Sequence, residues 1–267
     1  MVKAEVKKVD NFNFTFAVGK QVDIGRVRKS NQDRLIVADT IGFFGVSDGM
    51  GGLGYGEMAA EIVAANLPHQ VKESIGKLAS QSFDLQAYKT MLQAQIEHVN
   101  EHLYTQYNKG GKADYGATVT CALLVDDYAI FGNLGDSRAY ILRRGESLRQ
   151  ITEDHSVAGM LVKYGEITKE EAMHHPASAQ LTRFMGIAPP PKVDIFAEKL
   201  QSGDIIILCT DGVNGMVTDS EIESAVIKVM EISGCPGEVA KALIAISNRA
   251  GGRDNIGAVV VSVKCKV

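Results

Sequence analysis

Aspartates beside apolar segments are the residues of this chain whose type and spacing point most directly to chemistry. Four times an Asp lies next to an apolar run and beside Gly or a small polar residue, in FFGVSDGMGG (43–52), FGNLGDSR (131–138), IIILCTDGV (205–213) and GGRDNIGAVVV (251–261). Asp33 in VRKSNQD, just before another apolar run, is a fifth candidate. Each copy by itself is an ordinary turn at a strand end, but their joint occurrence indicates a site.

Clustered carboxylates predict a site for hard metal ions. Antiparallel strands bring several strand ends to one edge, where carboxylates repel each other unless protons or cations neutralise them. Oxygen-only ligand sets select Mg²⁺ or Mn²⁺, and no cluster of His or Cys lies beside these aspartates to favour zinc. Two such ions bridged by Asp make hydroxide from water at neutral pH and polarise a phosphoryl oxygen. The predicted chemistry is therefore metal-assisted hydrolysis of a phosphate.

A substrate phosphate also needs a cation close to the metal site. Arg28 lies five residues before Asp33, and a guanidinium grips two phosphate oxygens at once. The alternative is a solvated arginine in a basic loop that also contains Arg26 and Lys29. Glycines after the aspartates allow backbone carbonyls to join the ligand set and let a bulky substrate approach.

Short strands must position these residues. Segments rich in Val, Ile, Phe and Tyr and bounded by Gly, Asp and Asn predict strands at residues 16–24, 35–38, 41–47, 118–125, 128–133, 137–143, 148–151, 193–198, 205–209 and 257–263. Asp126-Asp127 and Arg144-Gly145 have the character of hairpin turns, so neighbouring strands are predicted to be antiparallel. Strict alternation of strands and helices is absent, which predicts an α+β fold with helices covering sheets.

Helices are predicted in two blocks. Residues 57–67 form a short helix that Pro68 ends, and residues 85–107 form a longer one with apolar residues at helical spacing. Near the C-terminus, helices are predicted at 222–230 and from Pro236 to Arg249.

One segment between two strand regions has a different character. Residues 155–191 mix short helical pieces, at 157–163 and 169–173, with His-His-Pro and Pro-Pro-Pro. A stretch of this length that does not form a strand pair is typical of a functional loop. We therefore predict an inserted flap.

Composition excludes several classes of protein. With 28 Lys and Arg against 32 Asp and Glu, the net charge of −4 argues against a binder of nucleic acid. The N-terminal residues have no apolar core of a secretory signal, and the longest apolar runs are far shorter than a spanning helix. Four widely spaced cysteines predict neither a disulfide framework nor zinc. We expect a cytoplasmic protein with no membrane segment.

Two other motifs suggest different chemistry and are weaker. Gly49-Met-Gly51-Gly-Leu-Gly54 fits a dinucleotide-binding turn after a strand, but no second apolar strand follows the next helix. His98-Val-Asn-Glu101-His102 fits an inverted zinc-protease spacing. Both of these histidines lie about 100° away from the apolar stripe of their helix, so a solvated helix face is the better interpretation.

Ordered blocks along nearly the whole chain match one known family. The chain resembles the bacterial branch of the metal-dependent protein Ser/Thr phosphatases of the protein phosphatase 2C type. The matching blocks are DIGRVRKSNQD (23–33), VSDGMGGLGYGEMAA (46–60), NLGDSRAYILR (133–143), ITEDHS (151–156), GEIT…HHP…LTRFMG (165–186), SGDIIILCTDGV (202–213) and GGRDNIGAVVV (251–261). The ordered set is far more specific than any one block.

The resemblance implies two stacked antiparallel β-sheets flanked by helices, forming one catalytic domain over residues 1–267 with the metal centre at one end. It implies a Mn²⁺- or Mg²⁺-dependent phosphatase acting on phosphoserine and phosphothreonine through a hydroxide activated between two ions. Carried over by motif, the ligands of the two central ions would be Asp33, Asp48, Asp211, Asp254 and the carbonyl of Gly49. Asp136 would help to bind a third, more labile ion, and Arg28 would contact the substrate phosphate.

Some positions depart from the common family pattern, and two of them concern the chemistry. Gln32 stands where many members have Glu, and Met50 stands where animal members have a His proposed as general acid. These departures leave open a phosphatase-like module that binds phosphoproteins without turnover. Since every core Asp is present, an active enzyme is the favoured interpretation, acting as a monomer on phosphoproteins that include a Ser/Thr kinase or its substrates.

Overall fold

The computed structural model describes residues 6–7, 13–51, 55–78, 82–107 and 115–265, and most of its strands belong to two antiparallel sheets. In chain order the strands are β1 (Val6–Lys7), β2 (Phe14–Asp23), β3 (Asp33–Ala38), β4 (Phe43–Gly51), β5 (Tyr115–Ala117), β6 (Val119–Val125), β7 (Tyr128–Leu134), β8 (Arg138–Leu142), β9 (Arg149–Gln150), β10 (Asp194–Lys199), β11 (Ile205–Cys209) and β12 (Ile256–Cys265). The first sheet has the order β1-β2-β12-β11-β8-β9. The second has the order β10-β7-β6-β4-β3, and β5 pairs with β4.

Apolar side chains from both sheets fill the layer between them. Phe16 of the first sheet meets Phe44 of the second edge to face, with 5.4 Å between ring centroids. Phe131, Ile206 and Val261 belong to the same buried layer. Side chains that alternate along each strand thus give both sheets an inner face, as in other β-sandwiches.

Helices cover the outer faces of both sheets. In chain order they are α1 (Tyr55–Leu78), α2 (Leu85–Tyr107), α3 (Val157–Lys163), α4 (Lys169–Met173), α5 (Asp211–Asn214), α6 (Asp219–Ser233) and α7 (Pro236–Arg249). α1 and α2 pack on the second sheet, whereas α6 and α7 pack on the first. The predicted α+β class and the two-sheet architecture are confirmed.

The predicted end of α1 is wrong. The helix does not end at Pro68 but continues through it to Leu78. A proline inside a helix costs about 3 kcal/mol. Leu67 and Val71, on either side of the proline, are fully buried against the second sheet, and burying each such side chain contributes about 1.5–3 kcal/mol. Packing therefore offsets the break that local sequence predicts.

Residues 155–191 connect the two sheets. They join β9, at one edge of the first sheet, to β10, at one edge of the second. The two short helices predicted in this segment are present as α3 and α4. The N–H of Thr182 donates to the carbonyl of His155 at 2.8 Å, and Met185 forms an isolated bridge with Ala117.

No helix in the part of the chain that the structure describes is both long and apolar enough to cross a bilayer.

Candidate metal centre

Strand register brings the first two aspartates together. Asp33 opens β3 and lies directly opposite Asp48 of β4 in the antiparallel pairing. The side chain of Asp33 is 3% exposed. Asp48 is held through its backbone, because its N–H donates to Thr118 Oγ1 at 2.9 Å and its carbonyl accepts from the N–H of Thr118 at 2.8 Å.

The first sheet supplies the next two aspartates. Asp211 follows β11 and begins α5, and Asp254 lies just before β12, which pairs with β11. Thr210 joins this sheet to the second one, since its Oγ1 donates to Asp33 Oδ2 at 2.7 Å and accepts from the N–H of Gly257 at 2.8 Å. One hydroxyl therefore fixes Asp33 relative to the β11 end that carries Asp211.

Asp136 lies in the connection from the second sheet to the first. It follows β7 and comes two residues before β8. It is 8% exposed, and its carbonyl accepts from Asn214 Nδ2 at 3.3 Å. We call Asp33, Asp48, Asp136, Asp211 and Asp254 the acidic cluster.

Burial and like charges act together on this cluster. Burial, followed by the charges of Asp211 and Asp254, raises the pKa of Asp33 to about 8. Burial and then the charge of Asp254 raise the pKa of Asp211 to about 6. Burial and the neighbouring carboxylates also raise the pKa values of Asp48 and Asp136 well above the usual range. Carboxyl groups in this position need cations or protons to be stable.

Individual oxygens of the cluster fit a hard divalent ion. Asp33 Oδ1 and Asp211 Oδ1 are buried without a hydrogen-bond partner, a costly state for a polar atom. Across the described residues, no group of three Asp, Glu, His or Cys side chains is arranged so that it could hold one metal ion. The donors that are present are carboxylate and carbonyl oxygens, which match Mg²⁺ and Mn²⁺.

Arg28 pairs with the acidic cluster at its open side. Its Nη2 donates to Asp254 Oδ2 at 2.6 Å, and its side chain is 51% exposed. This hydrogen bond, and then the charges of Asp254, Asp48 and Asp211, raise the pKa of Arg28. The arrangement keeps a permanent cation beside the carboxylates and within reach of solvent.

Asn255 fixes the loop that carries Arg28. Its Nδ2 donates to the carbonyls of Ile24 and Ser30 at 3.0 and 2.9 Å, and its Oδ1 accepts from the N–H of Gln32 at 2.9 Å. Because Asn255 directly follows Asp254, this clamp sets Arg28 relative to that carboxylate.

Gly49 must be glycine because of a close backbone approach. A Cβ at this position would lie 2.0 Å from the carbonyl oxygen of Gly56. The N–H of Gly49 donates to the carbonyl of Gln32 at 3.2 Å. The contact packs the start of α1 against the strand end that carries Asp48.

A cleft of about 220 Å³ opens from the acidic cluster towards residues 155–191. Its lining contains Asp136, Asp211 and Asp254 of the cluster, together with Gly159 and Met173 of residues 155–191.

Neither the dinucleotide-binding motif nor the zinc-protease motif has the surrounding structure that its chemistry requires. His98 and His102 are exposed on α2. After β4 and α1 the chain enters α2 rather than a parallel strand, so the βαβ unit of a dinucleotide site is not formed. Sequence analysis did not identify three residues that hold the site together, Thr210, Asn214 and Asn255. Each of them lies within three residues of Asp211 or Asp254.

Comparisons of the sequence and of the structure with known proteins all point to the same family. A family model described as Protein phosphatase 2C matches residues 26–246. The chain is 34% identical over 246 residues to the serine/threonine phosphatase stp of Listeria monocytogenes serotype 4b, an alignment that covers 90% of this chain and 93% of that protein.

Solved structures agree with that relationship. The catalytic domain of the serine/threonine protein phosphatase PstP, in complex with two manganese ions, aligns with a TM-score of 0.75 and 28% identity, covering 93% of this chain and 98% of that one. The serine/threonine phosphatase Stp1 of Staphylococcus aureus aligns with a TM-score of 0.79 and 25% identity, covering 99% and 98% of the two chains.

Proposed function

Because this chain belongs to the protein phosphatase 2C family and is a serine/threonine phosphatase, we propose that the acidic cluster is its catalytic metal centre. The observation that carries the proposal is the convergence of five aspartates from separate segments. The pKa values of four of them, Asp33, Asp48, Asp136 and Asp211, are raised, and Asp33 and Asp211 each have a buried oxygen without a hydrogen-bond partner. The two manganese ions bound by the PstP neighbour support the same conclusion. The whole chain, residues 1–267, would then form one catalytic domain.

The proposed ligands divide into two groups. The residues that would hold two central Mn²⁺ or Mg²⁺ ions are Asp33, Asp48, Asp211, Asp254 and the carbonyl of Gly49. Asp136 would help to hold a third, more labile ion. When bound, ions of this type lower the pKa of a water and withdraw charge from a phosphoryl oxygen.

Arg28 is proposed to bind and orient the substrate phosphate. A guanidinium has five N–H donors in a fixed fork, and the pairing of Nη2 with Asp254 places that fork at the exposed side of the cluster. Two phosphate oxygens then share one planar group, which holds the phosphorus with its scissile bond in a defined direction. Positive charge from Arg28 also stabilises the charge on the equatorial oxygens in the transition state.

The substrates are proposed to be phosphoserine and phosphothreonine proteins, among them a Ser/Thr kinase or its targets. The cleft of about 220 Å³ beside the cluster supports a phosphorylated side chain as the group that enters the site. The cysteines whose side chains are described are unpaired thiols, which supports a reducing compartment, the cytoplasm. We propose that the chain acts there as a monomer.

Release of phosphate from a phosphothreonine peptide, with metals added one at a time, tests the proposal. We expect hydrolysis that depends on Mn²⁺ or Mg²⁺ and stops with EDTA. Asp211→Asn should lose the activity, whereas the matched change Glu231→Gln, at an exposed position of α6, should keep it. Equal phosphate release after EDTA treatment, or from the Asp211→Asn protein, contradicts the proposal.

A further inference from the structure

A buried histidine holds the residue directly before Asp136. The Nδ1 atom of His155 accepts from the N–H of Gly135 at 3.2 Å, and the backbone N–H of His155 donates to the carbonyl of Gly135 at 2.9 Å. His155 is 2% exposed. The carbonyl of Gly135 and the N–H of Asp136 belong to one planar peptide unit, so His155 sets the orientation from which the Asp136 side chain starts.

The turn before Asp136 requires a glycine at position 135. Its φ of +114° lies in the region that favours glycine, and a Cβ there would lie 2.5 Å from Thr118 Cγ2. A second bond to its carbonyl comes from Asn133 Nδ2, at 3.3 Å. Glycine permits this turn, and hydrogen bonds from the side chains of His155 and Asn133 hold its peptide groups in one orientation.

The far side of the imidazole contacts Asp194, which is also bound by Arg183 of residues 155–191. Because Nδ1 accepts a hydrogen bond, Nε2 carries the proton and donates to Asp194 Oδ2 at 3.0 Å. Arg183 forks onto the same carboxylate, with Nη1 at 2.8 Å from Oδ1 and Nη2 at 3.0 Å from Oδ2. Forked pairs of this type are strong and directional.

These contacts form a continuous chain, which we call the flap relay: Arg183, Asp194, His155 and Gly135. Arg183 lies in the segment predicted as a flap, and Asp194 is the first residue of β10. The relay therefore spans from that segment to the peptide that carries Asp136.

We propose that His155 is a positioning residue for Asp136, and that Asp194 and Arg183 make this positioning depend on the conformation of residues 155–191. The inference rests on the proposed role of Asp136 in holding the third ion. Since coupling between two sites is reciprocal, occupation of the Asp136 position and docking of Arg183 on Asp194 favour each other. Movement of this segment that releases Arg183 loosens the Asp136 position and leaves the other four aspartates in place.

Titration with Mn²⁺ alone tests the relay, with the free aqueous ion followed by electron paramagnetic resonance. Asp136→Ala identifies the weak class of bound ions in the wild-type isotherm. We expect His155→Gln and Asp194→Asn to weaken that class by about 10-fold, the lower end for groups that orient a ligand, and to leave the tight class unchanged.

Two variants separate positioning from a structural effect. His155→Asn places an oxygen where His155 has Nδ1, so it should restore the bond to Gly135 and most of the weak-class affinity. Glu198→Gln is the matched control for Asp194→Asn, because Glu198 lies on β10 with Asp194. It accepts a similar pair of hydrogen bonds from Arg149, at 3.0 and 2.7 Å. This control should leave both classes unchanged.

Folding of each variant is checked by near-ultraviolet circular dichroism. If His155→Gln does not fold, the test is hydrogen exchange over residues 131–138 in the metal-free Arg183→Lys protein. The relay predicts that the amide of Gly135 exchanges faster in this variant than in wild type. Unchanged weak-class affinity in a folded His155→Gln protein, or unchanged exchange in Arg183→Lys, overturns the inference. Failure of the proposed function has a different result, which is wild-type protein without metal-stimulated phosphate release.

Discussion

Asp33 and Asp48 lie on paired strands of one sheet, whereas Asp136 lies in a glycine turn between the two sheets. The first pair is placed by a register that many backbone hydrogen bonds share. Asp136 depends on the side chains of His155 and Asn214. This difference in support indicates that the carboxylates of one cluster need not be equally rigid. A position supported by side chains is open to adjustment, and a position supported by a sheet is not.

The largest expected effect contrasts these two kinds of support. Asp48→Asn should lower kcat/KM for a phosphothreonine peptide by roughly 10²–10³-fold, as loss of electrostatic stabilisation does in other enzymes, and should abolish tight binding of Mn²⁺. Asp136→Asn should keep tight binding and lower turnover. Calorimetric titration and steady-state kinetics on both proteins give the answer. If both substitutions remove the same ions, the contrast between the two positions is wrong.

Arg28 tests the side of the cluster that faces solvent. Arg28→Lys keeps the charge but loses the fork, so kcat/KM should fall roughly 10- to 100-fold, the equivalent of one charged hydrogen bond of about 1.5–3 kcal/mol. Kinetics on the phosphothreonine peptide measure the loss, with Lys29→Ala in the same exposed loop as the control. A Lys29→Ala protein as impaired as Arg28→Lys would indicate a general effect of loop charge.

Thr210 tests the link between the sheets. Thr210→Val removes the donor to Asp33 Oδ2 and the acceptor for the N–H of Gly257. Leaving these buried groups unpaired should lower the free energy of unfolding by about 1–3 kcal/mol, measured by urea unfolding without metal. Thr105→Val, at an exposed position of α2, should change stability by less than about 0.5 kcal/mol. Equal losses from both would remove the special role of Thr210.

The smallest effect concerns pH and the support of Asp136. Hydrogen bonds from His155 and Arg183 outweigh burial and hold the pKa of Asp194 below its usual range. Because the folded pKa is the lower one, this stabilisation is complete above the unfolded value of about 3.9 and is lost as the pH falls further. As the pH is lowered from about 5 to about 2, the urea midpoint should therefore fall less in Asp194→Asn than in wild type. An identical slope in both proteins contradicts this assignment.

The strands and the aspartates could be predicted because local patterns determine them. Apolar runs of strand length bounded by Gly and Asp identified β11 exactly as observed, and the Asp126-Asp127 hairpin is confirmed by the pairing of Val125 with Tyr128. The second hairpin is longer than predicted, since Ile141 pairs with Arg149. The roles given to the aspartates and to Arg28 stay predictions, although the structure brings their charges together.

What sequence could not supply depends on contacts between distant residues. Pro68 breaks helices in isolation, and only the burial of Leu67 and Val71 against the second sheet reverses that preference. His155 lies 20 residues from Gly135 and 39 from Asp194. In the sequence it is one of six histidines, and its hydrogen-bond partners become visible only when the chain is folded.

The acidic cluster lies between the two sheets, beside the Thr210 link, and this position has a consequence for the stability of the whole molecule. The proposed ligands come from both layers, because Asp33 and Asp48 belong to the second sheet and Asp211 follows a strand of the first. Ions held by these aspartates would link the two layers and oppose any sliding of one layer over the other. Ligand excess of about 100 times Kd adds about 2.7 kcal/mol to folding stability. The lifetime of the folded protein in the cell would then depend on the supply of manganese or magnesium.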